Sequence, residues 1–507
     1  MKALVFVTKA RVLSALVVTA ISIVLLVLTK SSGAVGMKAV KELRVRITAG
    51  TQIPEPTKIQ STGDWYYLDH ISSGLASYDA EKKTFVPMLS SSWREEGAGV
   101  HAFKIREGIK FNDGTPITAR DILWSIKRHL VLKTSTHFPF WEYLIGCDHL
   151  TKLTDDCEGL SAVGGEIVFK LKSQTDSFYL QMASPETGIW AASDMNPETA
   201  ELRATKFSGP YSVSDLTEQS ALLQRNPHSL LSEKFPDSPK AIRIMNIPLN
   251  QMDQAILNGQ VDVAIKQYTP LGETRWSEKG IRAQATTPSS IIYLLGAGDG
   301  SLKRPALGRD LLQALWSQNQ DTVISPADTF LPFAEIFGLK REEFLSQLPI
   351  ATAQKIRIAY PENFFSDGFL KQIKSAGASV GSEIEFIALP RVEFFASFTD
   401  PKASDRFDYV LSIYAASERY PAVQLRYLTK GLVTPPIDLK KAEAPDLTDV
   451  NRTAIFRDYE KWLLKSHQAT PLFFDVTLFV HQSNLDIGEQ SKSDAEIELW
   501  RVRERSP

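Results

Sequence analysis

Three groups of residues in this 507-residue chain have types and spacing that could do chemistry. The first is Gly377-Ala378-Ser379-Val380-Gly381, which fits the G-x-S-x-G pattern of a hydrolase nucleophile. That chemistry needs a strand before the serine and a helix after it, so that the hydroxyl stands on a strained turn. Here 365–375 reads as a helix and 383–388 as a strand. The order is reversed, and the segment reads as an αβ loop. The second group is Gly296-Ala297-Gly298-Asp299-Gly300, which could cradle a phosphate, but no Lys-Ser/Thr follows it. It reads as a flexible connection. The third is Cys147 and Cys157, the only cysteines. Their spacing is not C-x-x-C and no histidine cluster surrounds them, so in an exported chain a disulfide is favoured over free thiols, redox chemistry or metal. Closing so short a loop contributes about 2 to 3 kcal/mol in the chain-entropy account.

The eight histidines include no i, i+4 pair of the kind that forms a helical zinc site, so neither a metal nor a cofactor is expected. Carboxylates are numerous, but sequence alone sets no two of them across a scissile bond. Lys plus Arg (57) nearly balance Asp plus Glu (59), so no basic surface is offered to nucleic acid.

Export is read from the N-terminus. Lys2, Lys9 and Arg11 precede an apolar run over 12–29, and Ser32-Gly33-Ala34 resembles a small-residue cleavage site, as in a secretory signal. The run is also just long enough for an uncleaved anchor. No cysteine lies just after it, which disfavours lipid attachment.

The length implies roughly two to four lobes, and a hydrophobic fraction of 43% can fill their cores. Residues 43–47 alternate as a strand. In 103–128, "FKIREGIKFNDGTPITARDILWSIKR", Phe103 and Ile105, then Ile109 and Phe111, alternate as two strands. Asn112-Asp113-Gly114 supplies a turn. Thr118 caps a helix with Asp121 three positions on, and Ile122, Ile126 and Leu130 share one face beside Leu123. Strands follow at 166–171 and 211–213. Asn250 is expected to cap a helix that stops at Asn258-Gly259, with a strand over 261–265. Strand 355–360, helix 365–375 and strand 383–388 form a βαβ unit, which implies a parallel sheet.

The 103–128 stretch resembles the signature of extracytoplasmic solute-binding proteins of family 5, the oligopeptide, dipeptide and nickel-binding group that serves ABC importers. Arg106, Gly108, Phe111, Asp113, Gly114, Pro116, Thr118, Ala119 and Asp121 carry the match. "FVPMLSSSW" (85–93), "SGPYSV" (208–213), "LLQRNPHS" (222–229), "AILNGQVDVA" (255–264), "GRDLLQALWSQNQD" (308–321) and "ATPLFF" (469–474) extend it.

The resemblance implies an α/β fold of the periplasmic-binding-protein type II kind, with two main lobes around a hinged cleft plus a smaller inserted lobe. After a leader at 1–34, lobe I would comprise 35–70, 206–285 and 479–507. The inserted lobe II would be 71–205 and lobe III 286–478. It implies a periplasmic, or outer-face membrane-anchored, monomer that binds a peptide or similar polar solute and delivers it to an ABC permease in the inner membrane, rather than an enzyme. An exported hydrolase or an anchored solute sensor on the same scaffold is the alternative. The family's amine-binding Asp falls at Ser417, with Glu418 beside it. Tyr414, Ser417, Glu418 and Arg419 are therefore expected to line the cleft, with Trp65, Tyr66 and Tyr293 as further aromatic candidates.

Overall fold

The computed structural model describes residues 37–505, apart from 48–50, 60–61, 80–81, 83, 98, 134–143, 173–176, 249–250, 268–278, 300–303, 320–323, 332–338, 351–353, 416–420, 430–432, 444–446, 448 and 489–497. The expected leader therefore lies outside the described residues. Among those described, no helix is long and apolar enough to cross a membrane.

Strand β1 (Leu43–Arg46) buries Leu43 and Val45 on one side, as its alternation requires. Helix α1 (Thr62–Ile71) lays Tyr67, Leu68 and Ile71 into the same core. The chain then enters an antiparallel sheet of β2 (Ser90–Glu95), β3 (Val100–Ile105), β4 (Leu160–Val163) and β5 (Glu166–Lys170), ordered β2-β3-β5-β4. Helix α2 (Ala119–Val131) packs there, burying Ile122, Ile126 and Leu130 with Phe103 and Phe169. Its N-terminus is fixed as expected. The Thr118 N–H donates to Asp121 Oδ2 at 2.7 Å, and Asp121 Oδ1 accepts from Ala192 N at 2.7 Å.

The expected second strand at Ile109 and Phe111 does not form. Lys110 and Pro116 make an isolated bridge across a tight turn. Asn112 takes the turn out of the ladder by exchanging hydrogen bonds with Phe207: its N–H donates to Phe207 O at 3.0 Å and its Oδ1 accepts from Phe207 N at 2.8 Å. Ile109 and Phe111 are buried as anchors of that turn.

The Cys147–Cys157 disulfide is present. Lys127, 4% exposed, holds its loop through the Asp155 carbonyl and through Asp156 Oδ1 at 3.3 Å. Arg128, on the same helix, joins the inserted lobe to the first. Its Nη2 donates to Glu55 Oε1 at 2.9 Å and its Nε to Ala200 O at 2.8 Å. Burial works to raise the Glu55 carboxyl, but Arg128 and the Thr57 N–H and hydroxyl outweigh it and hold it below its usual range.

Past this lobe come β6 (Tyr211–Leu216), β7 (Ser220–Arg225), β8 (Ala241–Met245), α3 (Met252–Leu257), β9 (Val263–Gln267) and the long β10 (Ile281–Gly296). Next are β11 (Lys355–Pro361), α4 (Asp367–Ser379), β12 (Glu383–Leu389), β13 (Tyr409–Ala415), α5 (Asp449–Lys465) and the long β14 (Ala469–Gln482). They build one eleven-stranded sheet, ordered β12-β11-β13-β10-β14-β9-β1-β8-β7-β6, with Ser325–Pro326 beside β14. Gln251 stands at the cap of α3 without a side-chain bond, and the expected cap, Asn250, lies outside the described residues.

The β11-α4-β12 unit is parallel, as its pattern implies. Its corner settles the G-x-S-x-G segment. A Cβ on Gly377 would stand 2.5 Å from Ile384 Cγ1, and the Ser379 hydroxyl donates to the Ala376 carbonyl at 2.8 Å. The glycine is there for close helix–strand approach, and the serine is spent on the helix. Gly296-Ala297-Gly298, read as flexible, is instead pinned: Arg304 Nη2 donates to Ala297 O at 2.6 Å and to Gly298 O at 3.2 Å. A Cβ on Gly296 would meet that guanidinium at 2.7 Å.

Three main cores result. One gathers Val45, Tyr67, Ile242, Val263 and Trp500, another surrounds Phe103, and the third gathers Ile292, Ile358, Phe369, Tyr409 and Phe473. Trp190, Met195 and Ala200 pack in the first core, so the chain returns to it before residue 206.

Two wholly buried histidines make this packing pH-sensitive. His70 accepts at Nε2 from Leu499 N at 3.3 Å, which ties the C-terminal segment to α1, and His129 Nε2 stands 3.0 Å from the Glu186 carbonyl. Burial pulls each down to about 4. A folded pKa below the unfolded value of about 6.5 means stability that is full above that value and is lost as pH falls toward 4. Chemical denaturation at pH 7 and pH 5 is expected to show a loss of roughly 2 kcal/mol per histidine. His129→Gln should reduce that loss, and an unchanged pH dependence would contradict the assignment.

Candidate functional site

β10 and β14 are long enough to serve two lobes. Residues 281–285 of β10 pair with 478–482 of β14 beside β9, whereas 290–295 pair with both β14 and β13. Register breaks fall at Ala285/Pro288 and Pro288/Ser290, where the two halves meet. Bulged ladders bend more easily than regular ones, so the crossing has the construction of a hinge.

The parallel strands on either side aim their carboxyl ends at this crossing. β9 ends at Gln267, opposite Thr477, and β1 and β8 run parallel to it. β13 ends at Ala415, opposite Ser290, with β11 parallel to it and β12 parallel to β11. In open α/β sheets, ligands bind outside the carboxyl ends of the strands. Two such edges face one another here.

A matching device stiffens each side. In the first lobe, Asp262 precedes β9. Its Oδ2 accepts the Arg44 N–H at 2.8 Å, and its Oδ1 the Arg44 guanidinium at 2.6 Å. In the third lobe, Asp408 precedes β13. Its Oδ2 accepts the Arg357 N–H at 2.7 Å, and its Oδ1 the Arg357 guanidinium at 3.0 Å. Each pair locks the register of neighbouring parallel strands and leaves bending to the crossing.

Polar groups are buried in the sheet and on α5. Ala415, Ser290 and Asp475 form one lateral row across β13, β10 and β14. Ser290 is wholly buried with an unpartnered hydroxyl, and Asp475 is 1% exposed. Arg46, at the carboxyl end of β1, is buried with its Nε on Ile247 O at 3.2 Å, and desolvation pulls it down to about 10. Glu460 of α5 is wholly buried, and its carboxylate gathers Thr329 Oγ1 at 2.5 Å, Phe330 N at 2.6 Å and Leu339 N at 3.0 Å. Burial pushes it up to about 7 despite those donors.

The expected site residues fall in two groups. Ser417, Glu418 and Arg419 lie outside the described residues, directly after β13. Tyr293 and Tyr414 come together with ring centroids 5.2 Å apart, but inside the third core. The Tyr414 hydroxyl donates to Phe330 O at 2.6 Å, and burial raises its pKa well above the ordinary value. Tyr66 is buried in the first core and half-buried Trp65 packs against it. Tyr66, Tyr293 and Tyr414 thus pack within the cores of their own lobes. Sequence reasoning passed over Ser290, Glu460 and Asp475. Asp475 did leave a signal, as the sole carboxylate in the apolar "ATPLFFDVTLFVHQ" of β14.

Residues 84–297 match the family model of bacterial extracellular solute-binding proteins, family 5 middle. Over 127 residues the chain is 28% identical to the periplasmic murein peptide-binding protein MppA of Escherichia coli, covering 24% of this chain and 23% of that one. Over 326 residues it is 22% identical to a putative binding protein of Haemophilus influenzae, covering 61% and 59%. These matches thus span less than two thirds of either relative. The structure of the E. coli murein tripeptide binding protein MppA aligns over 93% of this chain and 99% of that one, with a TM-score of 0.73 at 16% identity. The family resemblance and the lobed α/β fold of the type II binding proteins are borne out.

Proposed function

We propose, from a chain whose residues 84–297 form a family 5 solute-binding segment, that the protein is the extracytoplasmic substrate-binding component of an ABC importer. It binds a peptide or similar polar organic solute between its first and third lobes and presents it to a membrane permease. One observation carries this reading: two bulged strands are shared by both lobes at the place where both sets of parallel strands end. Such a crossing lets the lobes close, and a solute touching both favours the closed population.

The proposal includes lobe I as 35–70, 206–285 and 479–507, lobe II as 71–205 and lobe III as 286–478. The three cores support this division apart from Trp190, Met195 and Ala200, which pack with the first lobe, and Leu499, Trp500 and Val502 packing with Val45 support the C-terminal return. It also includes a monomer in the periplasm or on the outer face of the cytoplasmic membrane, held there where its basic and apolar N-terminus stays uncleaved.

Native mass spectrometry of the exported protein, purified without denaturation, tests the reading. A retained small solute of unchanged mass after incubation is expected. Conversion of that solute would instead support the hydrolase.

A further inference from the structure

We propose that His70 is an acid-opened latch on the C-terminal segment of the first lobe: a proton on its Nε2 frees 499–505, and with it Met37–Lys38, while the lobe itself stays folded. The neutral ring has one proton to place. Its Nδ1 stands 2.7 Å from the Tyr66 carbonyl, which only accepts, so Nδ1 carries the hydrogen and Nε2 is left to accept the Leu499 N–H at 3.3 Å. A second proton sets donor against donor and buries a charge on a side chain that is 2% exposed. On the elements around the ring, Tyr66 and Asp69 of α1, Tyr211 of β6, and Glu498 and Arg501 of the C-terminal segment are titratable or charged, yet none of their side chains hydrogen-bonds the imidazole. Glu498 and Arg501 pair with each other at 2.7 Å. No carboxylate bonds the imidazolium in the closed form, and opening the segment is what relieves it.

What the latch holds is slight. Strand Arg503–Arg505 is the middle of a three-stranded sheet, with Met37–Lys38 on one side and Leu485–Asp486 on the other. Met37–Lys38 therefore loses its ladder when 503–505 leaves. The Trp500 ring packs 5.0 Å from the imidazole, and Ser238 Oγ donates to Trp500 O at 2.8 Å, but the Trp500 indole N–H is buried without a partner. A buried donor left unmade weakens the closed form. Segments held by few contacts open locally, ahead of the body of a protein. β1, in contrast, lies between β8 and β9 in the large sheet. Burial holds His70 at about 4 in the closed form, and an exposed histidine titrates near about 6.5. Opening therefore rises as pH falls through 6.5 and levels off near 4.

The test is hydrogen exchange of the intact exported protein at pH 7 and pH 5, corrected for the intrinsic pH dependence of exchange, on wild type, His70→Gln and His129→Gln. In wild type, the opening of 499–505 and of Met37–Lys38 is expected to rise about twentyfold from pH 7 to pH 5, while 43–46 stays protected. Glutamine carries one donor and one acceptor, so His70→Gln should keep the segment closed alike at both pH values. His129→Gln should leave the twentyfold change in place. A wild-type segment that opens no more at pH 5, or that exchanges only together with 43–46, overturns the latch, as does a His70→Gln variant with the wild-type pH dependence. Where His70→Gln fails to fold, the wild-type comparison of 499–505 with 43–46 still decides.

Discussion

Glu460→Ala is expected to lower stability by about 4 kcal/mol, because it strands Thr329 Oγ1, Phe330 N and Leu339 N in a core that water does not reach. A buried donor left unmade costs about 1 to 3 kcal/mol, and the vacated volume adds a cavity term. The effect should travel. The Phe330 peptide is held on one side by Glu460 and on the other by the Tyr414 hydroxyl, next to the end of β13. Hydrogen exchange is expected to accelerate at Phe330, Leu331 and Leu339 and over 409–415 and to stay unchanged over 43–47. The conservative Glu460→Gln adds a pH signature. Burial raises this carboxyl from about 4.5 to about 7 in the fold, so its contribution is full below pH 4.5 and is lost as pH rises through 7. The cost of Glu460→Gln, measured by urea unfolding, is therefore expected to be smaller at pH 8.5 than at pH 5. A gap that fails to narrow would show that the three donors already keep the carboxylate charged at neutral pH.

Asp408→Ala is expected to cost about 3 kcal/mol, and Asp262→Ala a similar amount. Each removes a backbone acceptor and leaves a guanidinium without the carboxylate that met it in two places, and hydrogen bonds to charged groups contribute about 1.5 to 3 kcal/mol. The lobes distinguish the two variants. Asp408→Ala should loosen exchange in β11 and β13, and Asp262→Ala in β1 and β9, each leaving the other lobe protected. A double-mutant cycle of Arg357 with Asp408 should return a coupling above 1 kcal/mol. A coupling near zero would reduce the pair to an ordinary surface contact.

The sequence by itself determined the local elements and the family resemblance. Strand β1, helix α2 with its Thr118–Asp121 cap, the β11-α4-β12 unit and the Cys147–Cys157 loop were all readable, because period, turn chemistry and capping act within a few residues. The reversed strand–helix order at Ser379 dismissed a nucleophile for the same reason. What escaped depends on partners far along the chain. Ile109 and Phe111 alternate like a strand, but Phe207 takes the turn that joins them. Gly296 looked flexible until Arg304 was seen to fill the space a side chain would need. Tyr293 and Tyr414 had the chemistry of a binding surface, and only the tertiary structure shows how they pack in the third core. Most of all, Asp475 and Ser290 are 185 residues apart by number and meet solely because β10 and β14 pair through both lobes. Strand register is a tertiary property: it is set by which faces are buried and where the ladder bulges, and no local pattern encodes it.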